Sequence, residues 1–273
     1  MSKPDLLESR IAALRATLAG MGRVAVAFSA GIDSTLVLQV ATELLGENAI
    51  GFMGLSASVP PGEVEEARAL ALHMGARLEF IEPVEMEDPA YRRNETDRCY
   101  YCKSALYGRL REIARERHIP WIADGLHLED QHDLRPGQQA ADELGVRHPL
   151  MEAGFTKADV RECARRLGLP NWEKPAMACL ASRVPFGTPI DEATLRRVGE
   201  AERRLKALGF SGFRVRHHGA LARLELVAAD WERALAMRER LVNEVKQAGY
   251  AYVALDLEGY RMGSAHEAMR AGG

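Results

Sequence analysis

The segment Ser29-Ala30-Gly31-Ile32-Asp33-Ser34 has the composition of an anion-binding loop. Its small residues let backbone N–H groups close around a phosphate, and Ser29 and Ser34 add hydroxyl donors. It lacks the lysine of a Walker A loop and contains no G-x-G-x-x-G, so neither a kinase-type phosphate loop nor a dinucleotide fold is expected. Ala30 poses a backbone question. If its φ is negative the methyl group costs nothing, and if it is positive the loop is strained by roughly a kcal/mol.

A second group is sulfur. Cys99-Tyr100-Tyr101-Cys102 stands where a long loop meets a helix, a spacing that lets two sulfurs share a metal or cluster. Cys179 lies among small residues beside Arg183, a cation able to favour thiolate. Three cysteine ligands would leave one iron of a [4Fe-4S] cluster open, whereas a redox pair or buried structural thiols are the alternatives. Cys163 follows a helical stripe with Val160, Ala164 and Leu167 and belongs to a core. Four unevenly placed cysteines make no disulfide scaffold in a chain of 273 residues. His217, His218 and His266 show no spacing that identifies a metal site.

A third group is cationic. Arg214 and Arg216 alternate with Phe213 and Val215, so on a strand both guanidiniums share one face and form a fork for phosphate. A solvated strand face is the plainer reading of this pattern. Glu202 reads from its pattern as a helix-surface residue, and Glu225 lies on the following strand.

These residues need a scaffold, and the hydrophobic periodicity describes one. Val24–Phe28, 48–55, 78–81 and 120–123 read as strands, and helices run from Thr35 to Leu45, from 62 to 74 and from Cys102 to His118. Alternation of this kind predicts an α/β fold, a parallel sheet with helices on both faces. Thr156-Lys157-Ala158-Asp159 resembles a capping box. Beyond Pro185-Phe186-Gly187-Thr188-Pro189 the pattern becomes helix, two strands, helix and strand, a smaller α+β domain. The expected boundaries are 1–186 and 187–273. Segments 83–98 and 126–137 take no regular element, and loops of that length are usually functional or disordered.

Lysine and arginine total 36 against 39 acidic residues, so no global field draws the chain to nucleic acid or an anionic membrane. No run of about 18 apolar residues occurs, and the N-terminal segment is charged and amphipathic. A cytoplasmic protein is expected, in which local sites supply any affinity for anions.

The phosphate loop resembles the S-G-G-x-D-S signature of the PP-loop ATP pyrophosphatases, which have the adenine nucleotide alpha hydrolase-like fold, with Ala30 in place of a glycine. Asp97-Arg98-Cys99-Tyr100-Tyr101-Cys102-Lys103, Asp133-Leu134-Arg135-Pro136-Gly137, Ala178-Cys179-Leu180-Ala181-Ser182-Arg183 with Pro185-Phe186-Gly187, and Phe213-Arg214-Val215-Arg216-His217 together resemble the LarE family. The resemblance implies an ATP-dependent sulfurtransferase of nickel-pincer cofactor biosynthesis, which serves lactate racemase maturation. Its substrate would be pyridinium-3,5-biscarboxylic acid mononucleotide, whose carboxylates are adenylylated and converted to thiocarboxylates. It implies that Ser29, Ala30, Gly31, Ile32, Asp33 and Ser34 bind ATP, with Asp33 helping to hold Mg²⁺. It further implies a substrate phosphate on Ser182, Arg214 and Arg216, with Glu202 and Glu225 as acids near the substrate. Because Cys99 and Cys102 accompany Cys179, the branch implied is the one with a [4Fe-4S] cluster on three cysteines rather than the one that sacrifices the sulfur of Cys179. A homo-oligomer, trimer or hexamer, is implied too, along with other proteins of the cofactor pathway. A tRNA-thiolating PP-loop enzyme would need a basic surface or an RNA-binding module, which the charge balance does not offer. A non-catalytic nucleotide sensor would not need Asp33 and the three cysteines together.

Overall fold

A computed structural model of the chain describes residues 3–132, 136–175 and 177–261. Asp133, Leu134, Arg135 and His266 lie outside the described residues. The chain forms two compact units, one drawing on Met1–Ser56, Gly62–Asp88 and Asp97–Met177, the other on Ala57–Pro61, Pro89–Thr96 and the chain from Ala178 onward.

The first unit contains α1 (Lys3–Met21), β1 (Val24–Ala27), α2 (Ile32–Leu45), β2 (Ala49–Gly54), α3 (Glu63–Met74) and β3 (Arg77–Ile81). After a short helix of the second unit, α4 (Pro89–Arg92), it resumes with α5 (Arg98–Glu116), β4 (Trp121–Ala123), α6 (Pro136–Glu143), α7 (Pro149–Glu152) and α8 (Lys157–Arg166). The four strands form a parallel sheet of order β3-β2-β1-β4. Alternation along the strands separates the faces. Ala25, Ala27, Ile50 and Phe52 pack with Tyr107, Leu110 and Ile113 of α5. On the opposite face Gly51 leaves room for Leu38 of α2, whose Cδ2 would lie 2.7 Å from any added Cβ. Helices thus cover both faces, as the periodicity predicts for strands this apolar.

Strand order has a functional consequence. The chain winds outward from β1 through β2 to β3, then returns to place β4 on the other side of β1. The crevice beyond the carboxyl ends of β1 and β4 is therefore a topological switch point, where open α/β sheets bind ligands.

Two helix starts differ from expectation. α2 begins at Ile32, three residues before Thr35, because the polar Asp33 and Ser34 of its first turn hide the apolar period. α5 begins at Arg98, so both Cys99 and Cys102 are helical. Glycines close helices where the sequence places them: Gly46 and Gly75, at φ 55° and 62°, occupy conformations that a Cβ disfavours.

The second unit contains α4, a 3₁₀ turn at Leu180–Arg183, α9 (Glu192–Ala207), β5 (Phe213–His218), β6 (Leu221–Leu226), α10 (Trp231–Ala236), α11 (Arg238–Gln247) and β7 (Tyr252–Leu255). β5 and β6 are antiparallel, and β7 adds parallel to β6. The sheet packs Val215, Leu224 and Leu226 with Ala201 and Leu205 of α9 and Val245 of α11. Segment 89–96, which carries no periodicity, is anchored through buried Asn94. Its Nδ2 donates to the carbonyls of Pro185 at 2.8 Å and Thr188 at 2.9 Å. The Pro- and Gly-marked connection is thus pinned at both ends. Among the described residues no helix is long and apolar enough to cross a membrane.

Candidate active site

The phosphate loop joins β1 to α2 at the switch point. Gly31 is the N-cap of α2 and no side chain caps the helix, so the first N–H groups of a 14-residue helix are left for a ligand. By contrast, α8 closes its own N-terminus with a full capping box, in which Thr156 accepts from the Asp159 N–H and Asp159 from the Thr156 N–H. Within the loop the Ser34 hydroxyl donates to Gly31 O at 3.1 Å and accepts the Ser29 N–H at 3.1 Å. Ser29 Oγ lies 3.2 Å from Ser34 Oγ, so the two hydroxyls are held side by side.

Ala30 has φ 56° and is fully buried. The strained alternative is the one the protein adopts, at a cost of roughly 1–2 kcal/mol relative to an ordinary conformation. Such strain persists only where surrounding structure imposes it. Here Asn171 Nδ2 donates to Ala30 O at 3.2 Å and to Thr35 Oγ1 at 2.9 Å, and the Thr35 hydroxyl donates in turn to Gly31 O at 2.8 Å. Lys174, anchored on Glu63 at 2.8 Å and Glu66 at 2.9 Å, reaches Ala30 O at 3.4 Å.

Two further residues converge on the loop. Lys157, at the start of α8, pairs with the Asp33 carboxylate. Gly125, just past β4, approaches so closely that an added Cβ would lie 2.6 Å from Ser34 N. Lys157, Asn171, Lys174 and Gly125 were not legible as site residues. The capping box places Lys157 on a helix but does not name its partner, and Gly125 falls between the strand read at 120–123 and the unassigned segment 126–137.

Next to Gly125, Asp124 is buried in a polar chain. Tyr107 OH donates to its Oδ2 at 2.9 Å, the Leu126 N–H donates to its Oδ1, and His148 Nδ1 lies 2.7 Å from that same oxygen. His148 Nε2 is 3.0 Å from Asp142 Oδ1. Burial opposes a charged His148, but hydrogen bonds and charge from Asp124, then Asp142, outweigh it and push its pKa up to about 9. Burial, reinforced by the Asp124 charge, holds Tyr107 protonated well above the usual range.

Cys99 and Cys102 lie in the first two turns of α5, three residues apart and so on one helix face. Cys99 is exposed and Cys102 half-buried. Cys163 is buried, and burial pushes its thiol up to about 11, in keeping with a core role. Cys179 is half-buried and precedes the 3₁₀ turn. Its carbonyl accepts from Ser182 Oγ at 2.8 Å, Ser182 N at 3.0 Å and Arg183 Nη1 at 3.1 Å. The Arg183 guanidinium therefore organises the backbone of this turn. Among the described residues no group of three or more His, Cys, Asp or Glu side chains is placed to hold a metal ion.

The same turn belongs to a buried ionic cluster. Arg183 pairs with Glu202 through Nε at 2.8 Å and Nη2 at 3.1 Å. Arg216 pairs with Glu225 through Nε and Nη2, both at 2.9 Å, and donates to Ser182 O at 2.8 Å. Glu202, read from its pattern as a surface residue, is buried and also accepts the Val215 N–H at 3.1 Å. A buried glutamate replaces an apolar residue on the inner face of α9, which periodicity alone cannot detect. Arg214 lies with its guanidinium 4.9 Å from the Tyr260 ring centroid. Burial, followed by repulsion from Arg183, lowers its pKa. Counting Arg223, which pairs with both Asp256 and Glu225, four guanidiniums face three carboxylates among the described residues, an excess of positive charge there. An anion would relieve it. His217 is buried against Tyr250, 3.1 Å from its hydroxyl, as a packing residue.

No family model matches the chain. It is 41% identical to an uncharacterized protein of Synechocystis sp. over 94% of this chain and 97% of the relative. It is 27% identical, over 62% of its length and 66% of the relative, to an uncharacterized protein of Methanocaldococcus jannaschii. It is 38% identical to pyridinium-3,5-bisthiocarboxylic acid mononucleotide synthase of Lactiplantibacillus plantarum, over 96% of each chain. Near-complete coverage at that identity, on a parallel sheet with an uncapped phosphate loop at its switch point, identifies the chain as a member of the LarE family of sulfur-transferring enzymes.

Proposed function

We propose that this enzyme uses ATP to activate the carboxylates of pyridinium-3,5-biscarboxylic acid mononucleotide and replaces an oxygen of each with sulfur for nickel-pincer cofactor synthesis. The observation that carries the ATP half is the uncapped N-terminus of α2, flanked by paired serine hydroxyls and by Lys157. Residues 29–34 receive the β- and γ-phosphates, and Lys157 supplies a cation there. A substrate carboxylate oxygen attacks the α-phosphorus, the bond to the β-phosphate oxygen breaks, and pyrophosphate leaves. The product is an acyl adenylate. A sulfur nucleophile then attacks the acyl carbon and AMP departs with the oxygen.

Mg²⁺ fits this loop modestly. Asp33 offers one carboxylate, and Mg²⁺ bound to nucleotides commonly takes only one or two from protein, the rest coming from phosphate and water. It would neutralise charge on the leaving pyrophosphate, with Asp33 shared between the ion and Lys157.

We assign residues 1–186 to the ATP reaction and 187–273 to substrate binding and oligomer assembly. Ser182, Arg214 and Arg216 receive the 5′-phosphate of the substrate. Arg214 contributes the excess charge, while Glu202 and Glu225 hold Arg183 and Arg216 in place. Cys179 is the catalytic cysteine, on a turn whose backbone Ser182 and Arg183 fix.

Cys99 and Cys102 suit two ligands of a [4Fe-4S] cluster, being one helical turn apart with Cys99 exposed. Cys179 would be the third, and the cluster would supply sulfide bound at its open iron. Localisation in the cytoplasm accords with free thiols. The deciding experiment combines anaerobically purified enzyme, Mg²⁺-ATP, inorganic sulfide and the biscarboxylate mononucleotide without tRNA. Pyrophosphate release with a thiocarboxylate product detected by mass spectrometry is expected. Pyrophosphate release only on adding tRNA would favour a tRNA-thiolating enzyme, and ATP binding without turnover a sensor.

A further inference from the structure

We infer that Asn171 is a positioning residue for the phosphate loop, acting as a clasp that holds Ala30 in its left-handed conformation and so keeps the loop open to ATP phosphates. The inference rests on the proposed placement of ATP at residues 29–34. Three observations carry it. Ala30 is a non-glycine residue at φ 56°, in a loop whose shape depends on that turn. Both hydrogens of the Asn171 amide are used on that turn, one on Ala30 O and one through Thr35 Oγ1, which in turn bonds Gly31 O. Only the NH₂ end can serve both acceptors, so the orientation of the amide is determined by its neighbours.

The third observation is the other end of the same amide. Asn171 is 6% exposed, and its Oδ1 is buried with no hydrogen-bond partner among the described residues. A buried acceptor left unpaired costs stability, which a residue present only for packing would not incur. Asn171 also lines a cavity of about 470 Å³ with Leu70, His73 and Pro170. Truncating it therefore enlarges an existing space rather than opening one in a sealed core. Lys174 supports the clasp from a longer distance, its charge already matched by Glu63 and Glu66.

Glycine adopts positive φ without help. Asn171 should therefore be dispensable in an Ala30→Gly background, an outcome that a general structural role would not produce. Binding of Mg²⁺ with α,β-methylene-ATP is measured by calorimetry for the full chain carrying Asn171→Ala, Ala30→Gly or both. The single Asn171→Ala variant should bind about tenfold more weakly, or about 1.4 kcal/mol. The double variant should return to within about threefold of wild type (~0.7 kcal/mol). Wild-type affinity in Asn171→Ala, or a double variant as weak as the single one, overturns the inference. If the wild type binds no analogue, the placement of ATP has failed instead, and urea unfolding of the same four proteins decides the clasp. Ala30→Gly should then stabilise the Asn171→Ala protein more than the wild type, and equal effects in the two backgrounds would refute it.

Discussion

Lys157 and Asp33, separated by 124 positions, form a two-pronged ion pair in which the lysine ammonium lies 2.7 and 2.6 Å from the two carboxylate oxygens. The pair holds a cation and an anion at the mouth of the phosphate loop before any nucleotide arrives. Asp33→Ala should abolish pyrophosphate release while the fold persists by circular dichroism. Lys157→Met should raise the KM for ATP by the loss of a charge-assisted contact, on the order of 1.5–3 kcal/mol. Steady-state pyrophosphate assays check both. Full turnover in Asp33→Ala would remove the loop from the mechanism.

Gly125 tests the closeness of β4 to the loop. A methyl group there would meet backbone at Ser34 N and the Asp33 carbonyl carbon, atoms that cannot move aside without distorting the first turn of α2. Gly125→Ala should lose ATP binding and lower stability by roughly 1–3 kcal/mol, read by calorimetry and urea unfolding. A variant that binds ATP normally would contradict the packing described.

The two arginines of β5 should behave differently when replaced. Arg216 holds buried Glu225 through two bonds, and Arg216→Ala leaves that carboxylate to the longer contact with Arg223 at 3.2 Å, so the variant should destabilise the protein by roughly 3 kcal/mol, the low end for breaking a buried pair. Arg214 is not committed to such a pair. Arg214→Ala should leave the melting temperature nearly unchanged and raise the substrate KM by about 1.5–3 kcal/mol, with no effect on a dephosphorylated analogue. Equal losses on both substrates would give Arg214 a structural role.

His148 makes stability pH-dependent. Its folded pKa, about 9, is raised above the ordinary histidine value, so the folded state binds the proton more tightly than the unfolded chain. The contribution is fully present below about pH 6.5 and is lost as pH rises through about 9. Urea midpoints between those limits should fall, and His148→Gln should flatten the profile. A wild-type profile with no such fall would show that Asp124 and Asp142 do not charge the ring.

The sulfur source has two chemically distinct outcomes. If Cys179 donates its own sulfur, its Cβ–S bond breaks by elimination and the protein becomes lighter by one H₂S, with dehydroalanine at position 179. If sulfide arrives on a cluster held by Cys99, Cys102 and Cys179, all cysteines keep their mass and the enzyme turns over repeatedly. Mass spectrometry of the spent enzyme, with iron and acid-labile sulfide analysis after anaerobic purification, separates them. The unchanged mass is expected, together with loss of iron in Cys99→Ala.

Local chemistry made much of this protein legible in its order of residues. A buried apolar run before Ser29 and a helical period after it require a strand, loop and helix, and glycines at 46 and 75 end helices because they accept positive φ. The capping box at Thr156 is likewise a short-range pattern. What could not be read are contacts between positions far apart in the chain. Ala30 left two backbone conformations open, and its φ follows from Asn171, which only packing brings to it. Glu202 looked solvent-facing because periodicity records hydrophobicity, and a carboxylate buried by pairing with Arg183 breaks that rule without breaking the helix. Lys157 carries no mark of its partner because an ion pair is a relation in space, and 124 residues of chain must fold before the charges meet.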